Sequence, residues 1–151
     1  MTVADLFEAA RLSPLGPVGW GTAIPMTEKG GVYVVALVAE AGLVGGGLAE
    51  FLDPSEQKRW LPNQPVVYIG QTTTQTLAKR LEQFYRHEYG DKSPHRGGQA
   101  LKLLLKPPVP WSPIALWVYW SAATDPKASE STMIEAFKNK VGRLPFANRR
   151  V

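Results

Sequence analysis

The sequence predicts an α+β domain, a small sheet of short strands with helices packed against it. Three observations carry that expectation. Gly31 to Ala39 (GVYVVALVA), Pro65 to Gln71 (PVVYIGQ) and Ile114 to Ala122 (IALWVYWSA) are apolar runs of strand length, rich in valine and aromatic residues. The segments around them show helical periodicity, and three short strands cannot bury both faces without helices over them. The chain of 151 residues, 44% hydrophobic and 20% charged, has the size and composition of one soluble domain with a single core.

Thr2 to Leu12 reads as a short helix with Val3, Leu6, Ala9 and Ala10 on one face. Ser13 to Gly21 holds five glycines or prolines and reads as loop, so residues 1–30 form an N-terminal helix and loop ahead of the first strand. Ala41 to Gln64 is a long connection containing Gly45-Gly46-Gly47, with a short helix expected over Ala49 to Trp60. Thr76 to Tyr89 follows the second strand as an amphipathic helix. Gln99 to Leu105 reads as a shorter helix stopped by Pro107 and Pro108. Asp125 followed by Pro126 is an N-cap with proline at the first helical position. That helix should run to about Val141 and end at Gly142. No repeat and no second domain is visible, so residues 1–151 are read as one unit.

No apolar run approaches the roughly 20 residues that span a bilayer, and Met1 to Ala10 lacks the basic flank of a secretion signal. The absence of cysteine excludes disulfides and thiolate zinc sites. Net charge is +4 and unevenly spread. Residues 1–63 carry four bases against seven acids, whereas residues 64–151 carry thirteen bases against six acids. A basic half is the footprint of a polyanionic partner, though a lysine-rich solvated surface gives the same count.

Two helices carry charge where their periodicity places apolar residues. At about 100° per residue, Leu77, Leu81, Phe84 and Tyr85 form a stripe, with Arg80 and His87 at its edge. Arg80 therefore sits where helix meets sheet, and its guanidinium needs an anion there, either a phosphate or a protein carboxylate. In the last helix Met133, Ile134, Phe137 and Val141 define the buried stripe, Glu130 projects into its centre and Glu135 points to water. An inward carboxylate is costly unless it is paired, hydrogen-bonded or bound to a cation. The strands add Tyr33 and Tyr68, each within two residues of a glycine that permits close approach of a ligand or another backbone.

Gly31-Val32-Tyr33, Tyr68-Ile69-Gly70, Arg80 in the next helix, Glu130 on a later helix and Asn148 near the end resemble the GIY-YIG nuclease superfamily in order and context. The stretch YIGQTTTQTLAKRL is similar to the family's second strand, turn and arginine helix, and PFANRR (Pro145 to Arg150) to a common family ending. The resemblance spans Gly31 to Arg150. It implies a central three-stranded antiparallel sheet flanked by helices, and hydrolysis of phosphodiester bonds with one divalent ion, Mg2+ or Mn2+. It implies that Glu130 binds the metal and Arg80 the scissile phosphate. A tyrosine, Tyr33 by preference with Tyr68 assisting, would position or deprotonate water, and Asn148 would orient the site. Magnesium chemistry suits this set, since Mg2+ takes one or two protein carboxylates and leaves other positions to water and phosphate.

The chain departs from the family pattern in three places. Residues 41–64 form an insertion between the first two strands. The position four residues after the arginine, often histidine in the family, is Phe84, and His87 lies one turn further on, about 5 Å along the axis, as candidate support. The stretch between Gly70 and Arg80 is about two residues longer than usual. Lys92, His95, Arg96, Lys102, Arg149 and Arg150 are the candidate nucleic-acid contacts, with salt-sensitive binding as the consequence. The insertion is acidic (Glu50, Asp53, Glu56) and reads as a lid or a dimer surface. The resulting expectation is a metal-dependent DNA endonuclease of the cytoplasm, from a bacterial or phage-like source, with export lacking a signal peptide left open. A homodimer or two successive nicks would be needed to cut both strands. Two alternatives stay open: a nuclease of single strands or RNA, with Trp60 or Trp111 stacking on bases, and a silent nucleic-acid-binding module that kept the fold.

Overall fold

A computed structural model describes residues 1–19, 22–25, 28–37, 50–51, 61, 64–85, 105–106 and 116–148. In chain order the elements are α1 (Val3–Ala9), β1 (Leu15–Gly19), β2 (Lys29–Leu37), β3 (Glu50–Phe51), β4 (Val66–Thr76), α2 (Leu77–Tyr85), β5 (Leu105–Lys106), β6 (Leu116–Ala122) and α3 (Pro126–Val141). The main sheet has four strands in the order β1-β6-β2-β4, every neighbouring pair antiparallel. The α+β class holds, and the expected three strands are β2, β4 and β6.

The strand count needs correction. Leu15–Gly19, expected as loop, is a fourth strand on the outer side of β6. Its glycines and Pro17 argue against a central strand, but an edge strand tolerates a residue without an N–H because one side of its backbone needs no partner. Parts of two expected short helices are strand instead, Glu50–Phe51 in the first and Leu105 at the end of the second. Glu50–Phe51 and Leu105–Lys106 pair with each other as a two-stranded ribbon, so part of the insertion meets the second long connection. Such a long-range pairing leaves no local periodic signal. The remainder of the expected helices over 49–60 and 99–105 lies outside the described residues.

The continuous apolar run of β2 is explained by cover on both faces. On one face Tyr33 and Val35 pack with Val118 and Trp120 of β6, Leu77 and Leu81 of α2, and Phe146 and Ala147 of the C-terminal segment. On the other, Val32, Val34 and Ile69 meet Leu6 and Phe7 of α1 and Met133, Ile134 and Phe137 of α3. In α1 the buried pair is Leu6 and Phe7, while Ala9 is exposed. Leu61, from the end of the insertion, also joins the second cluster.

Helix ends follow the residues that begin and stop them. Thr2 and Asp5 form a reciprocal capping box on α1. The Asp125 carboxylate accepts from the Ala128 N–H at 3.2 Å, and Pro126 occupies the first turn of α3. Gly142 closes that helix in the left-handed conformation, φ 89°, with Lys138 and Lys140 in the last turn where the helix dipole favours cations. Among the described residues no helix is long and apolar enough to cross a membrane.

Candidate active site

The β2–β4 register sets the site. Tyr33 stands opposite Gly70 on β4 and opposite Trp120 on β6, while Tyr68 stands opposite Val35. Both tyrosine rings lie on the face covered by α2, with centroids 6.0 Å apart and planes tilted by 49°. Gly70 makes this possible. A Cβ built there would fall 2.5 Å from Cζ and 2.6 Å from Oη of Tyr33, and 2.8 Å from Cε1 of Tyr68. Gly31 serves the neighbouring contact, because a Cβ there would strike Leu77 Cδ1 and approach the Ser121 carbonyl oxygen to 2.6 Å. The two glycines thus have separate tasks. Gly70 leaves room for the Tyr33 ring, and Gly31 lets the first residue of α2 sit down on the sheet.

The tyrosines differ in exposure and acidity. Tyr33 is fully buried, whereas Tyr68 is half-buried. Their hydroxyls are hydrogen-bonded to each other. Burial is the largest influence on both. It pushes the Tyr33 phenol well above its ordinary value and, with the charge of Glu130 adding to it, raises Tyr68 to about 12. Tyr68 is the more acidic of the pair and the one with access to solvent.

Arg80 is half-buried in the first turn of α2, at the helix–sheet junction that its periodicity predicts. Its Nε is buried, and among the described residues it meets no hydrogen-bond acceptor. A buried guanidinium N–H without an acceptor is costly, so the position suits an anion from outside the chain. Glu130, half-buried in the second turn of α3, has its carboxyl raised to about 7 by burial, an effect that Arg80 offsets only in part. Arg80 and Glu130 each act electrostatically on both tyrosines, which brings the four expected groups into one site.

Asn148 completes the arrangement through the backbone. Its Oδ1 accepts from the Ile69 N–H at 3.0 Å and its Nδ2 donates to the Ile69 carbonyl at 2.9 Å, while the Ala147 N–H donates to the Val67 carbonyl at 2.8 Å. The side-chain amide thus pairs like a strand residue on the open edge of β4, at the residue between Tyr68 and Gly70.

A divalent ion fits these groups. An inward carboxylate that its arginine neighbour does not fully neutralise favours a cation. Glu130 would be the carboxylate to hold it, with water and phosphate able to fill further positions of an Mg2+ ion; among the described residues no three His, Cys, Asp or Glu side chains cluster. The other expected site residues, His87, Lys92, His95, Arg96, Lys102, Arg149 and Arg150, lie outside the described residues, as do Trp60 and Trp111. Two features were not foreseen from the sequence, the hydrogen bond between the tyrosines and the pairing of the C-terminal segment with β4. The first depends on cross-strand register. The second was signalled only by an asparagine in a short tail.

Comparison with protein-family models, with curated proteins and with solved structures finds no match to this chain.

Proposed function

We propose that the chain is a metal-dependent endonuclease of the GIY-YIG type, hydrolysing phosphodiester bonds in DNA at the site formed by Tyr33, Tyr68, Arg80 and Glu130. The observation that carries this reading is the convergence of a buried arginine N–H lacking an acceptor and a buried, incompletely neutralised carboxylate on one pair of hydrogen-bonded tyrosines. Such a site has one cation of its own for a phosphate and one anion for a metal, the two partners that phosphoryl transfer requires.

In this reading the Arg80 guanidinium binds a non-bridging oxygen of the scissile phosphate. A divalent ion, when bound at Glu130, supplies charge neutralisation and lowers the pKa of water. The Tyr68 oxygen accepts a hydrogen bond from the attacking water, and the fully buried Tyr33, hydrogen-bonded to Tyr68, holds that hydroxyl in place. Water oxygen bonds to phosphorus as the bond from phosphorus to the departing sugar oxygen breaks; the water proton passes to solvent and the departing oxygen takes one from solvent, leaving a phosphate monoester end and a hydroxyl end. Tyr68, the less buried of the two, suits the water-facing role better than Tyr33, which the family resemblance favours. A neutral phenol with a pKa of about 12 is a poor base, so Tyr68 positions the water unless a cation offsets the charge of Glu130.

The test is cleavage of supercoiled plasmid and of a labelled single strand, each with Mg2+ or EDTA. Metal-dependent cutting that falls at least a hundredfold in Arg80→Ala and in Glu130→Ala supports the reading, and the preferred substrate separates duplex from single-strand chemistry. Binding without cutting on either substrate would leave only the silent binding module.

A further inference from the structure

The stretch between Gly70 and Arg80 exceeds the family length, and its extra residues are strand. β4 continues past Gly70 through Gln71, Thr72, Thr73, Thr74, Gln75 and Thr76 and passes directly into α2. It stays paired with the start of β2, Gly31 opposite Thr72 and Lys29 opposite Thr76, with an irregularity between those pairs. Beyond the Gly31–Thr72 pair, where β6 still flanks β2, the Lys29–Thr76 pair continues the two strands as a short two-stranded lip, with Gly30 against Pro126 and Ala123. From Gln71 to Leu81 it carries no acidic residue and two adjacent bases, Lys79 and Arg80.

The groups on the lip are arranged rather than scattered. Lys29 lies across from Thr76, and the Thr76 Oγ1 accepts from the Lys79 N–H at 3.1 Å, so one threonine links the two lysine positions. Lys29, Thr73, Thr74 and Lys79 are all exposed. The Thr72 Oγ1 accepts from the Gln75 N–H at 3.2 Å, which holds the bend of the extension. Arg80, next in sequence to Lys79, points its buried Nε inward while Lys79 is outside. The acids nearest in sequence to the two lysines are Glu28, beside Lys29, and Glu82, one turn after Lys79 in α2, while Asp125 is occupied in capping α3.

We propose that this lip is a track for the nucleic-acid backbone, with Lys29 and Lys79 each neutralising a phosphate flanking the one that Arg80 holds, and the Thr73 and Thr74 hydroxyls donating to phosphate oxygens. The inference rests on the proposed nuclease reading for its substrate class. Contacts of this kind fix where the backbone lies without reading bases, so they strengthen binding to all sequences alike. The short polar side chains let the backbone come close to the strand, and the lysines reach past them.

The test is fluorescence anisotropy of a labelled DNA duplex with the full chain in EDTA, so that no cutting occurs, over a range of salt. The variants are Lys29→Ala, Lys79→Ala, the pair together, and Lys138→Ala with Lys140→Ala as the control on the far turn of α3. Each lip substitution is expected to weaken binding severalfold for every sequence and to reduce the salt slope by about 1, the pair by about 2, while the control leaves both unchanged. Lip variants that bind like the wild type, a control that loses as much as the lip, or a wild type that does not bind duplex at all would each overturn the track. Melting curves show that each variant is folded. The two readings fail differently: a wild type that binds through the lip but never cuts with Mg2+ refutes the nuclease and leaves the track, whereas cutting with unaltered binding in the lip variants does the reverse.

Discussion

Burial holds the carboxyl of Glu130 near pH 7, against an ordinary value of 4.5. In the unfolded chain the group ionises near 4.5, so between the two values the folded state keeps a proton that the unfolded state has lost. Its contribution to stability is therefore full below about 4.5 and declines as pH rises towards about 7. Thermal unfolding in EDTA should show the wild type losing stability over that window relative to Glu130→Gln. At pH 8, Mg2+ should raise the melting temperature of the wild type and leave Glu130→Gln unchanged, since only the carboxylate binds the ion. Gly70→Ala is the complementary test of geometry. The added methyl must displace the fully buried Tyr33 ring, at a cost of about 1–3 kcal/mol by the measure of overpacked cores. Activity should fall further than stability, because the same displacement breaks the hydrogen bond between the tyrosines.

At the scale of elements, the C-terminal segment acts as an extra half-strand on β4. Asn148→Ala leaves the N–H and carbonyl of Ile69 without their partners at a buried edge, a loss on the order of 1–3 kcal/mol. Asn148→Asp keeps the acceptor and loses the donor to the Ile69 carbonyl, so chemical denaturation should rank it below the wild type. If Asn148 acts only by positioning Tyr68, these variants lower kcat and leave Mg2+-induced stabilisation intact. Elements with a strong local signal were legible in the sequence. Asp125-Pro126 and Gly142 bounded α3, and periodicity along that helix showed Glu130 facing inward. Elements that depend on distant partners were not. β1 is built of loop residues and exists because β6 offers an edge, and β3 pairs with β5 across more than fifty residues of chain.

At the scale of the whole molecule, the site is assembled from four elements separated in sequence: β2, β4, α2 and α3. The sequence showed their order and their chemistry, and the inward set of Arg80 and Glu130 could be read from helix geometry alone. The division of labour proposed for Tyr33 and Tyr68 could not, because it rests on which ring is fully buried and which only half-buried. The extension of β4 was visible only as extra length, and its pairing with the start of β2 turned that length into surface. The proposed chemistry makes a prediction for the enzyme as a whole. Metal-dependent activity should rise with pH through about 7, as Glu130 becomes available to the ion, and added metal should shift that rise to lower pH.

The most direct test of the central claim is nicking of supercoiled plasmid by the wild type and by Glu130→Gln, side by side, in Mg2+ and in EDTA. The proposed function predicts open-circular product only from the wild type in Mg2+, with the glutamine variant folded and inactive. Equal nicking by both proteins, or nicking that persists in EDTA, would contradict a metal-bearing Glu130 and with it the mechanism proposed for this site.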